Sequence, residues 1–293
     1  MTGLFAGCSQ KHEAYVSPST EIRDNTPLCL KTQAPGTEVL ENDFACVDIS
    51  NAKDGYIMVS YKGDKTSIVK LQITGPDYMT YTYNLEGHSY EAFPLSCGSG
   101  IYSIDLFENI EETQYATIFS ETLDASIDFE WGAFLYPNQY VNFDESSEVV
   151  QAAMELVAPC HDDLEAINRV YDELVNTITY DEVKANTVES GYVPNVDEIW
   201  KTKTGICLDY AAVMASMLRS QQIPTRLEVG YAGTSYHAWI STYVKEIGWV
   251  NGIIQFDGET WSIMDPTFAA NAGEDAFKSF IGDGENYVTK FSY

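Results

Sequence analysis

The sequence predicts an α+β protein in two parts, a β-sandwich followed by a mixed helix-and-strand half, and three observations carry that reading. Short alternating runs fill residues 39 to 127 and are separated by Gly and Asp turns. From about residue 147 the apolar spacing becomes helical. Strand-like runs return after residue 224. At 293 residues the chain exceeds what one core usually occupies, so two domains are expected.

The chain carries 44 acidic against 16 basic residues, a formal charge of −28. Such a surface repels phosphate backbones, which argues against nucleic-acid binding. With 45% apolar residues it can bury a substantial core.

Residues 1–38 read as a leader and tether. Leu4-Phe5-Ala6-Gly7-Cys8-Ser9 resembles the end of a bacterial lipoprotein signal, in which the cysteine becomes the lipidated N-terminus. That resemblance implies an exported protein held at the cell surface, its membrane contact made only through lipid on Cys8. Phe5 stands where a smaller aliphatic residue is usual, and no charged and apolar signal regions precede it. The Ser-, Thr- and Pro-rich stretch that follows has the composition of a tether.

Residues 39–130 read as the β-sandwich, of immunoglobulin-like kind. Tyr56 to Tyr61, Ser67 to Ile73, Tyr78 to Tyr83, Gly100 to Phe107 and Tyr115 to Glu121 are the expected strands. Their many tyrosines suit half-buried strands without invoking a ligand. Of the six cysteines, Cys46 and Cys97 would link two strands if the protein is oxidised on export, while unpaired buried thiols fit the same pattern. The histidines at 12, 88, 161 and 237 have no ligand spacing, and no Cys pair does, so no metal site is expected.

Residues 131–293 form the second expected domain. Trp131 to Phe143 reads as a connector broken by Pro137 and Asn138. Ser147 to Leu156 predicts a short helix capped by Ser146 or Ser147. Asp162 to Ile178 predicts a longer one with Leu164, Ile167, Val170, Tyr171, Leu174, Val175 and Ile178 on one face. Val196 to Trp200 is a candidate helical turn. Pro224 to Tyr231 and Tyr236 to Val244 are expected strands joined by a turn at Gly233, and Glu259 to Met264 another. Asp275 to Phe280 reads as a short helix and Tyr287 to Tyr293 as a last strand.

Cys207 opens an apolar helix after Gly205, where free backbone N–H groups and the helix dipole favour a thiolate and offer an oxyanion site. His237 starts a strand, on one face with Trp239 and Ser241. Asp265 ends a strand before Pro266. A thiol, an imidazole and a carboxylate in that order are the parts of a cysteine nucleophile, its base and the group that orients the base.

Gly205-Ile206-Cys207-Leu208-Asp209-Tyr210-Ala211, Tyr236-His237-Ala238-Trp239 and Trp261-Ser262-Ile263-Met264-Asp265-Pro266-Thr267 resemble the three signature blocks of the bacterial transglutaminase-like superfamily. The likeness runs from about Asp162 to Ala270 and includes Tyr180-Asp181. It implies a papain-like core, with a cysteine-bearing helix packed on an antiparallel sheet, and makes Cys207 the nucleophile, His237 the base and Asp265 the orienting carboxylate. Trp200, Tyr231 and Trp239 are the expected lining of the substrate cleft.

The implied chemistry is acyl transfer from a peptide or carboxamide through a thioester, with no cofactor required. Water as acceptor makes a peptidase or amidase, the favoured outcome, and a lysine amine makes a crosslinking transglutaminase. The expected partner is a protein or peptide, cell-wall material included. A surface binding or scaffold protein is the reading from a different class.

Overall fold

The computed structural model describes residues 23–85, 87–232, 234–245, 248–250, 255–256, 261–262 and 287–293. Its first part holds β1 (Val39–Glu41), β2 (Ala45–Asp48), β3 (Tyr56–Tyr61), β4 (Val69–Thr74), β5 (Thr80–Leu85), β6 (Glu91–Pro94), β7 (Gly100–Glu111) and β8 (Gln114–Ala125). They form two antiparallel four-stranded sheets, ordered β1-β2-β3-β6 and β5-β4-β7-β8.

Alternation along β4 turns Val69, Leu71 and Ile73 inward, and Tyr102, Ile104 and Leu106 do the same on β7. The ring of Tyr83 on β5 lies 4.8 Å from that of Phe93 on β6, so one side-chain layer joins the two sheets. All six residues of β3 are buried. Its second face is covered as well, by Tyr136 against Tyr56 and by the backbone of His88 on Ser60. The Tyr102 hydroxyl, near the start of β7, donates to the Gly98 carbonyl at 2.6 Å and ties down the turn before the strand.

The second part contains α1 (Glu148–Val157), α2 (Asp163–Thr177), β9 (Thr179–Tyr180), α3 (Glu182–Thr187), α4 (Val196–Thr202), β10 (Thr204–Gly205), α5 (Cys207–Ser220), β11 (Thr225–Ala232), β12 (Ser235–Val244), β13 (Gly248–Val250), β14 (Gln255–Phe256), β15 (Trp261–Ser262) and β16 (Tyr287–Ser292). Ser147 is the residue before α1, and the Asp162 side chain caps α2 by accepting from Glu165 N. Ala166, Ile167, Val170, Tyr171 and Leu174 are the buried face of α2.

Every residue of α5 from Asp209 to Ser220 is buried. Helices α1, α2 and α4 surround it on one side, and the antiparallel sheet β13-β12-β11-β16 lies against it on the other. Truncating Leu218 in such a setting costs about 2–5 kcal/mol.

Arg219 is fully buried at the end of α5, and among the described residues its partners are backbone oxygens. Its guanidinium donates to the Thr225 carbonyl from Nε (2.9 Å) and Nη2 (2.7 Å), to Tyr293 O (2.6 Å) and to Tyr136 O (2.9 Å). Burial pulls its pKa down to about 9, so the group still carries its charge at neutral pH. The two parts meet along an aromatic seam. Tyr81 packs on Phe291 and Tyr293, and Tyr83 and Tyr140 pack on Tyr293.

Several sequence expectations change. The stretch expected as a tether is, from Arg23 onward, laid on the helical part: Arg23 Nε reaches Asp163 Oδ1 at 2.8 Å, Leu28 N donates to Ser220 O, and Cys29 is buried. Cys46 and Cys97 are not bridged; all five described cysteines are free thiols. Cys46 lies in β2, its sulfur 3.1 Å from the Tyr90 hydroxyl. Cys97 follows β6 and packs against the turn at Gly75, so each sulfur faces a different neighbour. The connector is no spacer either. Trp131 and Phe134 cover the face of the sheet opposite α5, against Tyr243 and Trp249. Of the strand expected over 259–264, Trp261–Ser262 pairs with Gln255–Phe256. Cys8, His12, Gly233, Asp265 and the helix expected at 275–280 lie outside the described residues.

Candidate active site

The start of α5 is built by a parallel pairing of β9 with β10, which brings Thr179-Tyr180 beside Thr204-Gly205. A side chain at 205 would meet Asp209 Cβ at 2.7 Å, so glycine is what lets the chain turn into the helix there. Asp209 reaches back and accepts Ile206 N–H on Oδ2 at 2.9 Å. Cys207 then falls in the first turn, half-buried, with its backbone N–H free of helical bonding.

The backbone N–H groups of Ala238, Leu208 and Cys207 itself lie by the Cys207 sulfur and favour its anion. Ala238 follows His237 on β12, so the thiol is seated against the strand one residue from the imidazole. The Tyr180 hydroxyl receives the Cys207 N–H, and Tyr236 also lies within electrostatic reach of the sulfur.

His237 stands opposite Gly230 in the β11–β12 pairing, where no side chain crowds it. Its ring stacks on that of Trp239, 6.3 Å away at 24°. Trp239 is in turn held by Glu228 Oε2, which accepts from its Nε1 and from Ser241 Oγ, each at 2.7 Å. Glu228 is itself buried. The Nε2 atom of His237 is buried with no hydrogen-bond partner among the described residues.

Burial dominates the electrostatics. It pushes the Cys207 thiol up, against the pull of the three backbone donors, and the Asp209 carboxylate adds to the rise. It also lowers His237 to about 4. The expectation that the helix terminus alone would lower the thiol pKa is therefore corrected. With burial acting on both groups, the resting pair is thiol and neutral imidazole, the state in which imidazole can accept a proton. The other thiols are unsuited to attack: burial raises Cys29 to about 11 and Cys97 to about 12.

The predicted cleft residues divide. Tyr231 is 41% exposed and meets the 61% exposed Tyr236 edge-on at 5.4 Å, on the side where Cys207 sits. Trp239 is 2% exposed and supports His237 from the sheet, so it lines no cleft. Trp200 is part-buried on α4 with the Lys203 ammonium 3.0 Å over its ring. Asp265 lies outside the described residues. Tyr236 and the carboxylate of Asp209 had no separate signal in the sequence, because a tyrosine in a strand and an aspartate in a first helical turn are both ordinary.

A polar cleft of about 880 Å³ opens elsewhere, between β6 and the connector, and contains neither Cys207 nor His237. Its Asp144 and Asp197 carboxylates accept backbone N–H groups of Ser146 and Val149, and its Asn195 caps α4. Among the described residues no group of three or more His, Cys, Asp or Glu is placed to hold a metal ion.

Residues 150–252 match the model of the transglutaminase-like superfamily, a span that holds Cys207 and His237. The uncharacterized protein YebA of Bacillus subtilis is 27% identical over 139 residues, covering 40% of this chain and 19% of YebA. Among solved structures, a Cytophaga hutchinsonii protein put forward as a cysteine protease aligns over 88% of this chain and 74% of its own, at 13% identity and a TM-score of 0.40. Red sea bream transglutaminase aligns over 70% and 49%, at 14% identity and a TM-score of 0.31. Those scores are too low to carry weight of their own. The matched residues 150–252, which take in most of α1 and all of α2, α4, α5, β11 and β12, are thus similar to the transglutaminase-like superfamily.

Proposed function

We propose that this protein transfers an acyl group from a peptide or carboxamide through Cys207, with His237 as base and Asp265 as the carboxylate that orients it. One observation carries the reading: Cys207 sits at a helix start under three backbone N–H donors, one of them from the residue next to His237. His237 takes the thiol proton as the sulfur attacks the carbonyl carbon. The backbone N–H groups of the first turn of α5 would receive the tetrahedral oxyanion. Collapse breaks the C–N bond, the amine leaves with the proton from His237, and a thioester stays on Cys207.

Water, deprotonated by the same imidazole, then releases the acid. Hydrolysis is the assigned outcome because it needs only a positioned water, whereas crosslinking needs a bound lysine as well. The buried Nε2 of His237 is the atom left for the Asp265 carboxylate, which would set the tautomer so that Nδ1 faces the sulfur. The partner in this reading is a protein or peptide, approached over Tyr231 and Tyr236.

The rest of the molecule fits a surface enzyme, exported and lipid-anchored through Cys8, with residues 39–130 as one domain and 131–293 as the catalytic one. The strand orders and the Tyr102 to Gly98 bond support an immunoglobulin-like sandwich. The test is alkylation by iodoacetamide at pH 7, followed by incubation with a peptide library with and without a primary amine, read by mass. Fast labelling of Cys207, lost in Cys207→Ala and weakened in His237→Ala, with cleaved or deamidated products, is expected. Cys207 labelling no faster than Cys160 or Cys29 would leave a binding or scaffold protein. Amine-tagged products would make it a crosslinker.

A further inference from the structure

The carboxylate of Asp209 is fully buried two residues beyond Cys207, and its two oxygens are completely engaged. Oδ2 accepts Ile206 N–H at 2.9 Å and Lys184 Nζ at 2.5 Å; Oδ1 accepts the Tyr192 hydroxyl at 2.7 Å. The Lys184 ammonium also donates to Tyr192 Oη at 2.7 Å and lies 4.3 Å from the centre of its ring. Lys184 is presented by α3, which Asp181 caps immediately after β9. One compact cluster thus joins β9, α3 and the first turn of α5.

We propose that Lys184 is a positioning residue for the nucleophile: it neutralises the buried Asp209 carboxylate and locks it as the cap of α5, so that a negative sulfur can form beside it. This rests on the acyl-transfer reading above. A carboxylate without its counter-ion at this depth would repel a thiolate in the same helical turn, in a medium that screens poorly. The first turn of α5 therefore needs both the cap, which fixes where Cys207 points, and the cation, which cancels the charge of the cap.

Among the described residues the other titratable groups do not replace this cation. Within electrostatic reach of the sulfur are Tyr180 from β9 and Tyr236 from β12, both held neutral by burial, and His237 beside Tyr236 is neutral as well. From α3, Glu182 acts on Tyr180 with the wrong sign. At the end of α4, Lys203 is turned to Trp200, Glu173 and Glu148.

The experiment uses the full chain and follows iodoacetamide labelling of the Cys207 peptide by mass spectrometry from pH 5 to pH 10. In Lys184→Met the midpoint of the rate profile is expected to rise by about one unit, which slows labelling at pH 7 by about tenfold. Lys184→Arg should restore most of the rate, and Lys184→Met with Asp209→Asn should bring the midpoint back, since the amide oxygen still accepts the Ile206 N–H and its NH2 can donate to the Tyr192 oxygen, without a charge. A double variant that keeps the raised midpoint, or a Lys184→Met profile that overlays the parent, overturns the role of Lys184. If the parent Cys207 reacts no faster than Cys29 and Cys160, the acyl-transfer reading fails instead.

Discussion

Replacing Arg219 by Met removes a cation that ties the end of α5 to three separate stretches of chain. The side chain is fully buried and makes four hydrogen bonds to the carbonyls of Tyr136, Thr225 and Tyr293. Bonds to a charged group are worth about 1.5–3 kcal/mol each, so four would exceed the outcome if simply added. The return of a guanidinium to water on unfolding offsets part of that sum, since desolvation of this group is the cause of its lowered pKa. Three carbonyls are nevertheless left facing a thioether that cannot donate. A net loss of about 3–5 kcal/mol is expected, a large share of the 5–15 kcal/mol typical of a folded domain. Urea unfolding followed by tryptophan fluorescence reads it as a lower midpoint at unchanged slope. Arg219→Lys should fall between the two, because an ammonium keeps the charge but not the fork. A loss below about 1 kcal/mol for the Met variant would refute the argument, since the carbonyls would then have had other donors.

Three further outcomes follow from the same structure. The Tyr83 hydroxyl is buried without a hydrogen-bond partner among the described residues, so Tyr83→Phe should stabilise the protein by about 1 kcal/mol, seen as a higher thermal midpoint; a lower midpoint would mean the hydroxyl is bonded. Gly205→Ala drives a methyl to 2.7 Å from Asp209 Cβ and should cost about 1–3 kcal/mol while slowing Cys207 alkylation, and an unchanged labelling rate would free the cap from any part in placing the thiol. His237 sits at about 4 when folded, below its unfolded value near 6.5, so the unfolded chain binds the extra proton between those limits. Its neutral burial contributes fully above pH 6.5 and is lost as pH falls toward 4. The stability of the parent relative to His237→Gln should therefore drop by about 3 kcal/mol from pH 7.5 to 4, measured by urea unfolding; a flat difference would mean that the Asp265 carboxylate proposed for Nε2 outweighs burial.

The long helix α2 was legible because its apolar residues recur on one face, and α5 because an apolar run follows Gly205. Cys207 and His237 stood out by local context, and the structure sets the Cys207 sulfur by the N–H of Ala238, the residue after His237. What escaped was whatever depends on distant partners. β6 has only four residues and two of them half-buried, so Glu91–Pro94 shows no clean alternation. The pairing of Lys184 with Asp209 spans 25 positions and obeys no helical or strand period. Cys46 and Cys97 suggested a bridge because spacing records their number, and only the fold records that their sulfurs face different neighbours. Trp239 looked like cleft lining because aromatic residues serve clefts and cores alike. Its indole is claimed by Glu228, eleven residues earlier in the chain.

The aromatic seam has a consequence for how the protein can be cut and handled. Tyr81 and Tyr83 from the strand-rich half interlock with Tyr140, Phe291 and Tyr293 from the other, and the Ser292 amide donates to the Tyr81 hydroxyl. Severing the halves would lay bare a sticky ring-lined wall on each fragment, a surface that solvates poorly and invites clumping. The helical half thus relies on its neighbour to cover this wall, and the two are expected to melt together.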